Sequence, residues 1–317
     1  MRTTQTVLKY TARAVQLINR AGLSIGNNQP TLTEVVIWLI NNQSKFSRST
    51  WRQYRAALIC NFENHALENT AYSVEISYSL NLLRNTDCNQ CLQRGVNTSS
   101  KKKKKISEAD QIKLVAYFTD NPEIRHGVTT LVWLLSGIWT GLRPAEWQSA
   151  QLVINATSDI ELHVINAKNT NGRSHGDERI VHLSNMSLLE FEILRLHIAN
   201  IVSAKDKGIA FDDFYQHCRD CLYQANRKLW PKRRKFISLY SSRHQFSADA
   251  KKSGLSREAI AALMGHASVE TAGIHYGRRS SGSGGFRVAA DQSDIARVEQ
   301  LNAHRVDAKY CGARPQM

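Results

Sequence analysis

Long hydrophobic runs are scarce in this 317-residue chain. The longest apolar stretch, Val128 to Trp139, is broken by Thr, Ser and Gly and is too short to cross a bilayer. The N-terminus, MRTTQTVLKYTARAVQLINRAG, has no continuous apolar core of the secretory kind and is helix-periodic instead. A cytoplasmic chain with no membrane partner is therefore expected, nucleoid-associated if its partner is DNA. Acidic residues are also in short supply: 27 Asp plus Glu face 42 Lys plus Arg, a formal charge of +15. That excess favours a polyanionic partner, because each neutralised phosphate releases condensed counterions. A Walker-type glycine loop is missing, and no carboxylate cluster suits two-metal cleavage. ATP-driven chemistry and metal-dependent cleavage are disfavoured, and neither a metal nor a cofactor is expected. No internal repeat is apparent.

The six cysteines include two C-x-x-C pairs, Cys88/Cys91 and Cys218/Cys221. They are too far apart in sequence for an ordinary shared zinc site, and the second pair sits within a helical pattern. Reduced thiols are the simpler expectation.

What is present reads as mainly α, in two domains. Residues 1–93 form a helical domain. Val7 to Arg20 carries apolar residues at helical spacing, and Thr31 with Glu34 makes a capping box ahead of TEVVIWLINN. In SRSTWRQYRAALICNFENHA, Trp51, Tyr54, Leu58 and Phe62 share one face, the stripe expected to meet a core. Arg48, Arg52 and Arg55 make a second stripe, either solvated surface or a face for a DNA groove. A further helix is expected in SVEISYSLNLLR. Periodicity then fails, and residues 94–105 read as a flexible basic linker ending in five lysines. Those lysines, Lys101, Lys103 and Lys105 among them, stay solvated or meet phosphates.

The second domain, 106–285, opens with a cap-like Ser107-x-x-Asp110. VTTLVWLLSGIW reads as a buried helix stopped at Gly141, with Pro144 able to start the next turn. The convincing strands are ELHVI and ERIVHL, joined by the polar tip NAKNTNGRSHGD that holds Lys168 and Arg173. The small antiparallel hairpin or sheet they make interrupts a mostly helical domain. Ser280 to Gly285 reads as a flexible spacer, and 286–317 as a tail containing the amphipathic segment SDIARVEQLN.

One stretch gathers chemistry: LYSSRHQFSADAKKSGLSREAIAALMGHASVETAGIHYGRR, with Arg243, His266 and Tyr276. Arg143 lies far upstream in TGLRPAEW. Two permanent cations, an imidazole and a phenol suit a phosphodiester, whose charge arginines neutralise and which a tyrosine attacks. A free phenol has a pKa near 10, so only about one in a thousand is ionised at neutral pH. Tyr276 therefore needs help in losing its proton.

These motifs, in this order, resemble the tyrosine recombinase (phage integrase) family. TGLRPAEW is similar to its first-arginine box, giving Arg143 and Glu146. Lys168 matches the hairpin lysine, SRHQFSA the second-arginine box with Arg243, LMGHAS the Gly-His element with His266, and Tyr276 the downstream tyrosine. The resemblance covers Ser107 to Arg279, and less specifically 1–93, which look like the family's helical core-binding domain. It implies attack by Tyr276, leaving a 3′-phosphotyrosyl link and a free 5′-hydroxyl. Lys168 would be the proton donor to that leaving group, Arg143 and Arg243 would grip the phosphate, Glu146 would orient an arginine, and His266 would bind phosphate or aid proton transfer. It also implies double-stranded DNA as partner and a homotetramer on two duplexes. Accessory DNA-bending proteins are a further partner class, and the tail is a candidate to dock on a neighbouring subunit. Mobile-element integration or excision is the preferred biological role.

The chain departs from the family twice. Tyr240 stands where the second-arginine box usually has histidine, and Tyr276 lies ten residues after His266, one more than the common spacing. Tyr240 can donate a hydrogen bond to a phosphate but is a poor proton shuttle at neutral pH. His244, next to Arg243, is expected to be structural, and Arg173 or Arg179 is an alternative phosphate contact to Lys168. The competing reading is a non-catalytic regulator, since GLSREAIAALMGHASVETAGIHY also scans as helix–turn–helix.

Overall fold

The computed structural model describes residues 4–68, 73–92, 102–167, 169, 174–183 and 185–311. The chain divides into two compact units, Met1–Ser99 and Ser100–Met317. No described helix is long and apolar enough to cross a membrane.

The first unit is helical: α1 (Thr4–Ile25), α2 (Leu32–Asn41), α3 (Arg48–Glu68) and α4 (Ser73–Asn85). Thr31 and Glu34 form the expected reciprocal cap of α2, which satisfies two backbone donors at the helix start. Trp51, Leu58 and Phe62 of α3 are fully buried with Tyr54 packed beside them, against Leu17, Val35, Val36, Leu39 and Leu83. The second stripe of α3 divides. Arg48 and Arg52 are exposed, whereas Arg55 is half-buried and donates to the Thr86 carbonyl at 2.9 Å. Arg55 thus holds α3 to the end of α4 and has less to offer a partner.

The second unit is built around α6 (Gly127–Thr140), a helix apolar on nearly every side. Around it pack α5 (Glu108–Thr119), α7 (Leu188–Asp206), α8 (Phe211–Leu229) and α9 (Leu239–Lys252). The Ser107–Asp110 capping box of α5 is present. Cys218 faces this core from α8 while Cys88 and Cys91 belong to the first unit. Among the described residues no cluster of His, Cys, Asp and Glu could hold a metal ion.

One antiparallel sheet flanks the helices, in the order β1 (Gln151–Ile154), β2 (Ile160–Ile165), β3 (Glu178–His182), β4 (Ala289–Ala290). The two expected strands are β2 and β3, paired with Leu162 opposite Val181. The outer strands were not legible. β1 is only four residues long and joined to β2 by a tight turn, where Asn155 N–H donates to the Asp159 carbonyl at 2.9 Å. β4 has two small residues, and alanine carries little strand signal.

Two short helices follow α9: α10 (Arg257–Leu263) and α11 (Val269–His275). The Ser280–Gly285 stretch is not a free spacer. Ser283 N–H donates to Asp249 Oδ1 at 2.6 Å, and the Ser281 carbonyl accepts from Gln245 Nε2 at 3.2 Å, so it lies along α9. Beyond it α12 (Gln292–Cys311) buries Val298 against Ala261 and Ala262 of the same chain. Its Asp294 accepts from the Ile180 N–H at 2.9 Å, tying the helix to β3.

Candidate active site

The site is assembled on the end of α6. Gly141 terminates that helix at φ +69°, a conformation that costs a side-chain-bearing residue about 1–2 kcal/mol. A Cβ at this position would lie 2.3 Å from a ring carbon of Phe246. The turn delivers Arg143 and Pro144 into a single 3-10 turn, Pro144–Gln148, which brings Glu146 back beneath Arg143. Arg143 N–H donates to Glu146 Oε2 at 2.7 Å and its guanidinium to Oε1 at 2.5 Å.

Glu146 is the centre of a buried charge cluster. Arg179 of β3 donates to Oε2 at 2.8 Å, and Arg243 of α9 lies 3.8 Å from the same oxygen. Burial alone would raise this carboxyl, but Arg179, Arg243 and Arg143 outweigh it and hold it down at about 2. Three guanidiniums against one carboxylate leave positive charge in excess.

The three arginines are not equally free. Arg179 is completely enclosed: Nε donates to the Leu263 carbonyl at 2.9 Å, and the rest of its guanidinium to Glu146 and Asn166. It is a strut, unable to serve as the alternative phosphate contact. Arg243 is also fully buried, donating to the Gly141 and Met264 carbonyls at 2.5 Å each and to His266 Nε2 at 3.0 Å. Burial and the neighbouring Arg143 lower its pKa, a direction that still leaves a guanidinium charged at neutral pH. Apart from its 2.5 Å bond to Glu146, the Arg143 guanidinium is held only at 3.4 Å, by the Ala167 and Gly265 carbonyls, and it is the least enclosed of the three.

Tyr276 completes the group. Its hydroxyl accepts from Arg243 Nε at 3.2 Å and lies 2.9 Å from the Tyr240 hydroxyl. Burial would raise this phenol, but the charge of Arg243 and hydrogen bonds from Tyr240 and Arg243 bring it below its ordinary value. Tyr240 moves the other way, to about 12, through burial and the neighbouring phenol. The extra residue before Tyr276 is absorbed simply. Helix α11 stops at His275, and Tyr276 has extended backbone, φ −113° and ψ −178°. Helical phase therefore does not govern where its ring points. Lys251 Nζ donates to the carbonyls of Ala272 and Gly277, 2.6 Å each, clamping the chain on both sides of the tyrosine. Gly277 allows the close approach, since a Cβ there would sit 2.3 Å from the His244 carbonyl oxygen.

His266 is buried, and burial followed by the surrounding guanidiniums strongly lowers its pKa. A guanidinium only donates, so Nε2 is the acceptor and the neutral ring carries its proton on Nδ1. Nδ1 has no hydrogen-bond partner among the described residues. The rings of His266 and His244 lie 5.2 and 5.1 Å from that of Tyr276. His244 is lowered to about 4, first by burial and then by cations including Lys104 and Lys102.

Arg143, Glu146, Tyr240, Arg243, His266 and Tyr276 thus converge from three regions of the sequence. Lys168, Arg173 and Lys101 lie outside the described residues. The backbone just before Lys168 is tied into the site, because Ala167 N–H donates to Glu146 Oε1 at 3.2 Å. Lys105 is exposed, while Lys103 is half-buried on Asp110. Sequence reasoning missed Lys251 and Asn166, for which no local pattern stands out. It also missed His175, buried with Nε2 3.0 Å from the Ala262 carbonyl.

No protein-family model matches this chain, and no curated protein matches it. Among solved structures, it is similar to the Tn1549 transposon integrase in complex with a circular intermediate DNA, at 15% identity and TM-score 0.49, over 83% of this chain and 88% of that one. It is similar also to XerA recombinase, at 14% identity and TM-score 0.39, over 98% of this chain and 100% of that one. XerH site-specific recombinase bound to its difH substrate gives 16% identity and TM-score 0.47, over 85% and 75%.

Proposed function

We propose that this protein is a tyrosine-type DNA recombinase that breaks and rejoins strands through a covalent link to Tyr276. The observation that carries the reading is the setting of one phenol. Its hydroxyl lies against Arg243 Nε at 3.2 Å, at the edge of a buried cluster of three arginines around Glu146. Such a phenol is easier to ionise than a free one, and the adjacent positive excess suits the charge that concentrates on a phosphate during displacement. Tyr276 Oη, having released its proton to solvent, forms a bond to phosphorus as the bond from phosphorus to the 5′-oxygen breaks. The departing oxygen takes a proton from Lys168, and the resulting 3′-phosphotyrosyl ester retains the energy of the original bond. Attack by a 5′-hydroxyl from another duplex reverses the step without ATP.

Arg143, the least enclosed of the three arginines, is the group best able to reach a phosphate. Arg243 acts chiefly on the nucleophile. The proposed assembly is a homotetramer holding two duplexes, helped by accessory DNA-bending proteins, in the integration or excision of a mobile element. A non-catalytic regulator would have no use for a buried three-arginine cluster aimed at a phenol. The deciding experiment uses a nicked suicide substrate, from which the leaving strand diffuses away. Wild type should accumulate a covalent protein–DNA adduct, while Tyr276→Phe binds the same DNA and forms none. An adduct that survives in Tyr276→Phe but vanishes in Tyr240→Phe would assign the nucleophile to Tyr240. Absence of any adduct with wild type would leave only DNA binding.

A further inference from the structure

Two basic runs outside the site meet on the surface of the second unit. One is the described end of the lysine stretch, Lys102–Lys105, and the other is Lys232–Lys235 in WPKRRKF. They are brought side by side by a parallel bridge between Lys102 and Phe236, with Lys103 N–H donating to the Phe236 carbonyl at 2.7 Å. Like charges so placed repel, and the fold offsets this with a single buried carboxylate. Asp110, 3% exposed, binds both Lys103 Nζ and Arg233, the latter at 2.6 Å. Burial would raise Asp110, but these two partners hold it down at about 2. The Arg233 guanidinium also stacks 4.0 Å over the Trp230 ring. Lys103 and Arg233 therefore act as fasteners.

The remaining cations face outward. Extended backbone sends alternate side chains to opposite sides, and Lys102 and Lys104 are exposed while Lys103 between them is not. Lys105, Lys232, Arg234 and Lys235 are exposed too, and none of the six has a carboxylate partner among the described residues. This row is joined to the site through the start of α9: Phe236, bridged to Lys102, lies four residues before Tyr240, whose hydroxyl is 2.9 Å from that of Tyr276. Lys102 and Lys104 sit on the order of 7 Å apart along an extended segment, comparable to the step between successive phosphates of one strand.

We infer that Lys102, Lys104 and Arg234 belong to a phosphate track for duplex DNA that leads to Tyr276, and that Lys103, in the middle of the same run, is a structural fastener. This rests on the recombinase reading. It is tested by the affinity of the full-length protein for a fluorescein-labelled mixed-sequence duplex, measured by anisotropy across a salt series. Each lost phosphate contact should flatten the slope of log K against log salt by about 0.9. The combined Lys102→Ala, Lys104→Ala, Arg234→Ala variant should lose roughly 2 to 3 from that slope and melt like wild type. Lys103→Ala should keep the slope and melt at a lower temperature. An unchanged slope in the triple variant, or a flattened one in Lys103→Ala at unchanged melting temperature, would overturn the track. Failure of wild type to bind the duplex would instead bring down the recombinase reading itself.

Discussion

The hydroxyl oxygens of Tyr240 and Tyr276 lie 2.9 Å apart, and Arg243 Nε reaches only the second of them, at 3.2 Å. The asymmetry assigns them different parts. Arg243 favours a negative charge on Tyr276, and Tyr240, raised to about 12, keeps its proton and donates it as a hydrogen bond. Tyr240 is thus a hydrogen-bond donor to the Tyr276 hydroxyl rather than a base for it.

Tyr240→Phe should therefore slow adduct formation at neutral pH by about tenfold to a hundredfold, the worth of a hydrogen bond to a charged group. Losing a donor raises the pKa of Tyr276, so the rise of rate with pH should move to higher pH. Rates on the suicide substrate across an alkaline pH series measure both. An unchanged profile would show that Tyr240 is only packing.

Lys251 touches backbone on both sides of Tyr276 and no reacting atom, which makes it a positioning residue. Lys251→Met retains the apolar stem but frees the Ala272 and Gly277 carbonyls. DNA affinity should change little, while adduct formation should fall by about tenfold or more, since small misplacement of a nucleophile is costly. Equal losses in affinity and rate would refute a purely positional role.

Glu146 balances three buried guanidiniums, so Glu146→Gln should destabilise the second unit by about 3–5 kcal/mol. The pH dependence has a definite sign. The folded pKa, about 2, lies below the ordinary 4.5, so the stabilisation is complete above about 4.5 and is lost as pH falls towards about 2. Urea unfolding of wild type and Glu146→Gln across that window should converge at the acid end.

His197 makes a separate acid weakness. It is wholly buried between Trp133 and Trp147, ring centroids 5.1 and 4.5 Å away, and neither ring nitrogen has a partner among the described residues. Burial lowers its pKa to about 3. The unfolded chain takes up a proton below about 6.5 that the folded chain refuses, so stability falls as pH drops from there towards about 3. His197→Leu should lose less stability than wild type between about pH 7 and about pH 5, a range above the window of Glu146. A parallel fall in both proteins would assign the loss to other groups.

Much of this was written locally. Helix caps at Thr31 and Ser107, the stop at Gly141, the apolar stripe of α3 and the alternation of β2 and β3 depend on neighbours a few residues away, so spacing alone reveals them. Arg143, Arg243, His266 and Tyr276 stood out in the sequence in another way, through the resemblance of their short motifs to a family pattern. Tertiary packing decided the rest. Glu146 and Arg179 are 33 residues apart, and Gly141 and Arg243 are 102 apart. Which arginine is a strut and which can turn outward follows from burial, which no spacing reports. The same applies to Lys103, indistinguishable from its neighbours in a run of five until Asp110 singles it out. Tyr276 meets Arg243 and Tyr240 only because α11 ends at His275 and Lys251 holds the backbone on both sides of the tyrosine. Local pattern chose the residue types, and the dielectric and contacts of the folded interior chose their roles.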